Sequence, residues 1–430
     1  MRVTIVLLLA FVGLLYLALF GPGSSAMDEA NLTADFGEPV AGLSPTDRLR
    51  FEAGRREFSR RFLRSEGLGP HFNATACVSC HEDPVGGGSG PRYRDFFLVG
   101  KPAEDGALVK LYPDCTAEND AEGDAELCLP SIVIPTYGPR GTVAAPVPPD
   151  VEHPRIPATA EVVARRNTPP VFGLGLFSLI SDDEILSRAD PDDVDQDGIS
   201  GRVNVLANEE GAIGRFGFKC QTSSIEGFTR GALMNQMGIT SDSLELLFAA
   251  DTSSWLHHSP LAIKEAHAQA AEPRDSNFDF DGIRDPEISR GRLQNLVFFS
   301  ENLAAPPRRL SSEASESGAA VFSEIGCNAC HVASLETSRG MIHPYSDLLL
   351  HDMGPLLADG VVMGDAQGHE FRTQPLWGVC QHPPFLHDGR ADTIEEAILL
   401  HGGEAQPARD RYAGLSPAEK SDLRSFLESL

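Results

Sequence analysis

The chain has 430 residues, a formal net charge of −27, 41% hydrophobic residues, 41 Gly and 31 Pro. That length supplies ample core for two or three domains, so disorder throughout is excluded. So much negative charge repels phosphate backbones, which excludes nucleic acid as a partner and adhesion to anionic membranes through a basic face. With 7% aromatic residues and scattered Gly and Pro, the composition predicts a loop-rich fold.

At the N-terminus, Arg2 precedes an apolar run from Val3 to Phe20, then Gly21, Pro22 and Ser24-Ser25-Ala26. This order reads as a signal peptide over residues 1–26 with cleavage after Ala26. The alternative is a retained N-terminal anchor, because the run lies at the lower edge of a membrane-spanning length. Both readings export the rest of the chain, to the periplasm or beyond, and leave membrane association to the N-terminal segment alone.

The strongest signal is a pair of motifs, Cys77-Val78-Ser79-Cys80-His81 and Cys327-Asn328-Ala329-Cys330-His331. C-x-x-C-H is the pattern of covalent c-type haem attachment. Two thiols three positions apart reach the two vinyl groups of one porphyrin, and the adjacent His becomes the proximal iron ligand. A redox dithiol or half a zinc site needs no His at that place. The expectation is two covalent c-type haems, with His81 and His331 as axial ligands. Four further cysteines remain in an oxidising compartment, where three pairings are open. The simplest joins Cys115 to Cys128 across an acidic loop and leaves Cys220 to pair with Cys380.

Each motif follows a predicted helix. Thr46 to Leu63 carries Leu49, Phe51, Phe58 and Phe62, and Ser312 to Ile325 carries Val321, Phe322 and Ile325. The fold class predicted is mainly α, with two c-type cytochrome domains, residues 27–305 and 306–430, and long loop-rich insertions between the motifs. Ala144 to Pro157 is one Pro-rich extended loop. Near the C-terminus, Thr393 with Glu396 and Ser416 with Glu419 form capping boxes that start helices at Ile394–Leu400 and Pro417–Leu430.

Two acidic loops are candidate calcium sites: Asp193, Asp195 and Asp197 before Gly198, and Asn277, Asp279 and Asp281 before Gly282. Neither places a Glu at the twelfth position of an EF-hand, and a solvated acidic turn is the alternative. Among the remaining histidines, His401 follows the apolar face of Ile394, Ala397 and Ile398 and precedes Gly402-Gly403. It is the candidate sixth ligand of the second haem, with Met353 as its competitor. His153, His257 or His258 are candidates to reach the first iron from the long insertion.

The stretch Phe371-Arg372-Thr373-Gln374-Pro375-Leu376-Trp377-Gly378, followed by Pro384-Phe385-Leu386-His387-Asp388-Gly389-Arg390 and Thr393-Ile394-Glu395-Glu396-Ala397, resembles the C-terminal signature of bacterial di-haem cytochrome c peroxidases and the methylamine-utilisation di-haem enzymes. Arg166-Asn167-Thr168-Pro169-Pro170-Val171-Phe172 is similar to a segment those families carry after their first haem. The resemblance is closer to a branch of di-haem oxidoreductases, often labelled thiol oxidoreductase-like. It rests on Phe172-Gly173-Leu174-Gly175-Leu176, Asp197-Gly198-Ile199-Ser200-Gly201-Arg202, Gly214-Arg215-Phe216-Gly217, Asp347-Leu348-Leu349-Leu350-His351-Asp352-Met353-Gly354 and His401-Gly402-Gly403-Glu404-Ala405.

The resemblance implies a sixth ligand fourteen positions after the His of the His-Asp-Gly motif, the place held here by His401. It also implies a calcium between the haems near Pro384, although His382 replaces the usual Thr. The removable distal His of the peroxidases falls at Phe97, an acidic residue of the closer branch at Ser178, and a Trp at Phe218. Trp377 then becomes the candidate electron relay, and Phe172 and Phe177 the candidate pocket over the first haem. The function implied is an exported, peroxidase-like oxidoreductase. Its C-terminal haem takes electrons from a small donor such as a cytochrome c or cupredoxin and relays them to an N-terminal haem that reduces peroxide or activates oxygen. A pure electron-transfer cytochrome, an oxygenase or protein-modifying oxidase, and a structural or binding role without turnover are the alternatives.

Overall fold

The computed structural model describes residues 32–69, 72–102, 109–110, 161–244 and 283–430. The apolar N-terminal run, Cys115 and Cys128, Ala144 to Pro157, the histidines His153, His257 and His258, and the loop with Asn277, Asp279 and Asp281 lie outside them. Among the described residues, no helix is long and apolar enough to cross a membrane.

Helix α1 spans Pro45–Ser59, begun by Ser44, whose side chain accepts from the amide of Asp47, with Pro45 at the first helical position. It ends short of the predicted Leu63, and Leu49 is exposed, so the buried face is Phe51, Gly54 and Phe58. Strand β1, Phe96–Pro102, pairs antiparallel with β2, Val109–Lys110, and with β3, Val162–Arg166. Phe97 lies in β1, opposite Arg165. A 3-10 turn at Leu174–Leu179, the short helix α2 at Asp182–Leu186 and a small hairpin, β4 at Val205–Leu206 and β5 at Ala212–Ile213, follow. Helix α3 is Ile225–Ala232, and α4 is Arg290–Asn302.

Helix α5, Glu313–Glu324, starts at a reciprocal box between Ser312 and Ser315. Two hairpins come next: β6, Leu335–Thr337, with β7, Gly340–Ile342, and β8, Leu350–Asp352, with β9, Glu370–Arg372. The chain closes with α6, Ile394–Leu400, α7, Gln406–Gly414, and α8, Pro417–Leu427. The capping box of Ser416 with Glu419 forms as predicted. At α6 only half of the predicted box forms. Thr393 accepts from the Glu396 amide, but the Glu396 carboxylate takes the amide of Asp392 at 2.7 Å.

Two helix pairs frame the two motifs by the same device. α1 packs on α4, and α5 packs on α8. Each crossing is closed by a glycine: a Cβ on Gly54 would lie 2.0 Å from the carbonyl oxygen of Asn295, and one on Gly318 2.0 Å from that of Asp422. One turn on, Phe58 meets Phe299 at 5.1 Å and His81 at 5.7 Å between ring centroids. Phe322 likewise meets Phe426 at 5.2 Å and His331 at 6.4 Å. The larger core runs from Phe51 and Leu293 through Phe172, Phe177 and Ile239 to Leu348, Leu349 and Trp377. A smaller one gathers Phe322, Tyr345, Tyr412, Leu423 and Phe426 behind the second motif.

Candidate haem-binding site

The two C-x-x-C-H motifs fold alike. Cys77–Ser79 and Cys327–Ala329 each make one 3-10 turn, and the amides of His81 and His331 both bond the carbonyl of the first Cys at 3.0 Å. This turn sets the two thiols and the imidazole of each motif on one short stretch. Burial pushes the thiols up, Cys77 and Cys327 to about 12 and Cys80 to about 11. A redox dithiol needs the opposite shift, since the thiolate is the reactive species. The four motif thiols are therefore poorly suited to thiol exchange.

Three imidazoles share one arrangement. His81 Nδ1 lies 3.1 Å from the carbonyl oxygen of Gly88, His331 Nδ1 2.8 Å from that of Tyr345, and His401 Nδ1 2.7 Å from that of Ala397. A carbonyl only accepts, so Nδ1 carries the proton in each ring and Nε2 keeps its lone pair, the tautomer of an iron ligand. Burial lowers His81 and His331 to about 4 and also lowers His401, which keeps all three neutral near pH 7.

A cavity of about 450 Å³ is lined by Cys327, Cys330, His331, Met353 and His401, and also by His387, Ser89, Thr168, Pro169 and Phe172. Its wall is mainly apolar, with Phe218, Phe322, Phe371, Leu376 and Ile398 among the lining residues. Cavity size, apolar lining and paired thiols with a neutral imidazole fit a porphyrin at the second motif. Cys77, Cys80 and His81 do not line this cavity; Thr168 and Pro169, which neighbour Cys80 and His81, do. Of the predicted pocket pair, Phe172 lines the cavity and packs edge-on to Phe36 at 4.9 Å. Phe177 is buried behind it, stacked on Trp377 at 5.4 Å. Ser178 is exposed and Phe218 half-buried.

Other predicted sites change. Cys220 and Cys380 are both free thiols, which corrects the pairing expected from counting cysteines. Cys220 is sealed in a small apolar cluster with Leu350 and Ala366, its Sγ 3.4 Å from the Leu348 carbonyl oxygen, whereas Cys380 sits in the turn after Trp377. In the first acidic loop, the carboxylates that converge within 4.8 Å are those of Asp190, Asp193 and Asp195. Asp197 instead accepts from the Ile199 amide at 2.9 Å, closing the turn.

Sequence reasoning passed over His351, Asp347 and Glu404 as a unit. The buried His351 ring lies between Asp347, 2.9 Å from Nε2, and Glu404, 2.7 Å from Nδ1, with Cys330 Sγ at 3.6 Å. Burial opposes charge on this ring, but the two carboxylates and the thiol outweigh it and raise its pKa well above the usual value. Leu348, with φ 63°, turns the chain so that Asp347 reaches the ring four positions on, and Glu404 comes from a distant segment, so neither partnership was readable from the spacing.

The chain belongs to the family described as "Di-haem oxidoreductase, putative peroxidase", whose profile matches residues 158–430. It is therefore an oxidoreductase of a two-haem class. Similar solved structures include hydrazine synthase of Kuenenia stuttgartiensis under 20 bar xenon, at 20% identity over 40% of this chain and 62% of that one, with a TM-score of 0.25. A MauG-like protein associated with microbial copper homeostasis follows at 18% identity, 60% and 89% coverage and a TM-score of 0.30. A variant of the diheme peroxidase BthA from Burkholderia thailandensis aligns at 15% identity, 92% and 88% coverage and a TM-score of 0.37. The chain thus spans less than two thirds of the hydrazine synthase chain. No curated protein matches it.

Proposed function

We propose that the protein is an exported, peroxidase-like oxidoreductase carrying two covalent c-type haems, one at Cys77, Cys80 and His81 and one at Cys327, Cys330 and His331. His401 is the sixth ligand of the second, ahead of Met353. The observation that carries this reading is the repeated motif turn with three imidazoles of one tautomer, two of them on a single apolar cavity. When bound, such groups would exchange single electrons and bind peroxide or oxygen, with a cytochrome c or cupredoxin as donor at the C-terminal site and peroxide, taking two electrons and two protons to give two waters, as acceptor at the N-terminal one.

The chain's own residues have separate tasks. His81, His331 and His401 present unprotonated Nε2 atoms, and the carbonyls of Gly88, Tyr345 and Ala397 fix the rings. Phe172, Phe218 and Phe371 keep water out of the cavity between the motifs. Trp377, buried with Phe177, supplies an aromatic path through the core.

The test is ligand binding by the first haem. It is expected to be high-spin or readily to become so, to bind cyanide or carbon monoxide, and to shift its Soret band with hydrogen peroxide. Irons that stay low-spin and inert in both redox states make the protein an electron carrier. That second reading draws support from Phe97 and Ser178, neither of which offers an acid or base.

A further inference from the structure

Tyr345, Ser346 and Asp347 are bonded onto the second motif. The Tyr345 carbonyl accepts from His331 Nδ1, the Ser346 amide donates to the Val332 carbonyl at 3.0 Å, and the Asp347 amide donates to the Cys330 carbonyl at 3.1 Å. A distant segment of the same cavity wall carries His401 at the end of α6 and Glu404 in the 3-10 turn Gly403–Ala405. That turn lies against the end of β8: a Cβ on Gly403 would come within 2.1 Å of the Asp352 carbonyl oxygen, and one on Gly402 within 3.0 Å of that of Met353. His351, 3% exposed, joins the two segments, with Nε2 2.9 Å from Asp347 and Nδ1 2.7 Å from Glu404. A neutral imidazole has one N–H and cannot donate to both carboxylates, so the ring bonded on both sides is the imidazolium. The other oxygen of Glu404 accepts from Ser200 Oγ at 2.7 Å and from the Asp352 amide at 3.3 Å.

We infer that His351 and Glu404 are positioning residues for His401: their buried bridge to Asp347 ties the turn after His401 to the segment that holds His331, and so sets the opening between the two imidazoles into which an iron must fit. This deepens the proposed ligation of the second haem and rests on it. A ligand on a fixed turn loses less freedom when it binds than one on a loose turn, so freeing Glu404 weakens the sixth bond while His401 itself is still present.

The experiment is a cyanide titration of the full-length ferric holoprotein followed by EPR, with Glu404→Ala, Glu404→Gln and Glu57→Gln, each first shown to carry two haems. His401→Met identifies the low-spin signal of the second haem, and an unaltered signal there fails the ligand reading itself. With the signal assigned, Glu404→Ala is expected to lose it at about tenfold less cyanide than wild type, the scale on which partners behind a metal ligand act. Glu404→Gln still offers a donor and an acceptor to His351 Nδ1 and is expected to stay near wild type. Glu57→Gln loosens the Arg292 pair between α1 and α4, away from the second motif, and is expected to leave the cyanide midpoint unmoved. Should Glu404→Ala fail to accumulate, Glu404→Asp, whose shorter side chain cannot reach both His351 and Ser200 from the same turn, decides in its place. An unchanged midpoint in the deciding variant, an equal fall in Glu57→Gln, or a fall in Glu404→Gln as large as in the deciding variant overturns the assignment.

Discussion

The α carbon of Gly175 faces the backbone carbonyl of Glu301 so closely that a methyl group there would come within 1.8 Å of the oxygen. Gly175 sits in the 3-10 turn that carries Phe177 beneath Trp377, and Glu301 is in the last turn of α4, so backbone meets backbone. Neither side can rotate away. Gly175→Ala is expected to destabilise by about 3 kcal/mol, the upper end for overpacking, measured by chemical denaturation. A loss below the scatter of surface substitutions would mean that the turn shifts freely.

The ligand assignment at the second haem makes a sharper prediction. His401→Met should raise that haem's midpoint potential, because thioether sulfur favours reduced iron relative to imidazole. Its low-spin EPR signal should change at the same time. An unaltered spectrum would transfer the role to Met353, which lines the same cavity.

Arg166 and Asp359 form an ion pair in which each side chain is only 4% exposed, and Lys219 approaches the same carboxylate at 3.5 Å. Asp359→Asn leaves two cations buried without their anion. The expected cost is about 3–5 kcal/mol. A change near zero would show that water enters this region.

His351 gives a pH dependence of definite sign. Burial opposes charge on the ring, but Asp347, the Cys330 thiol and Glu404 together raise its folded pKa above the ordinary 6.5. The stabilisation from the charged ring is complete below about pH 6.5 and is lost as pH rises through the folded value. The unfolding free-energy difference between wild type and His351→Asn should therefore narrow on the alkaline side. A difference that widens there would mean the ring is neutral in the folded protein.

Much of this was legible in the residues. The motif spacing located both motif turns, and Ser416, Pro417 and Glu419 marked the start of α8. The Ile394–Leu400 helix matched its prediction, because its N-cap and apolar positions are local. What escaped depends on segments far apart in sequence. Neither Gly54 nor Gly318 stands out until the crossing helix is known, yet each lies four residues before the Phe that packs on a motif His. The free thiols of Cys220 and Cys380 likewise depend on three-dimensional distance, which a count of cysteines does not contain.

The two Gly-to-Phe steps differ in how far the chain must return to close them. The α1–α4 contact includes Arg50 bonded to the carbonyl of Gln294, 244 positions away, whereas Gly318 meets Asp422 within the C-terminal region. Loop closure becomes more costly with length, so the later crossing has the smaller entropic barrier. On a chain emerging from its N-terminus, Cys77 and Cys80 are synthesised long before α4 exists to cover them. Under the two-haem reading proposed above, the earlier thiols would have the longer interval open to attachment, and the later pair would have to be met quickly, before its own helices shut.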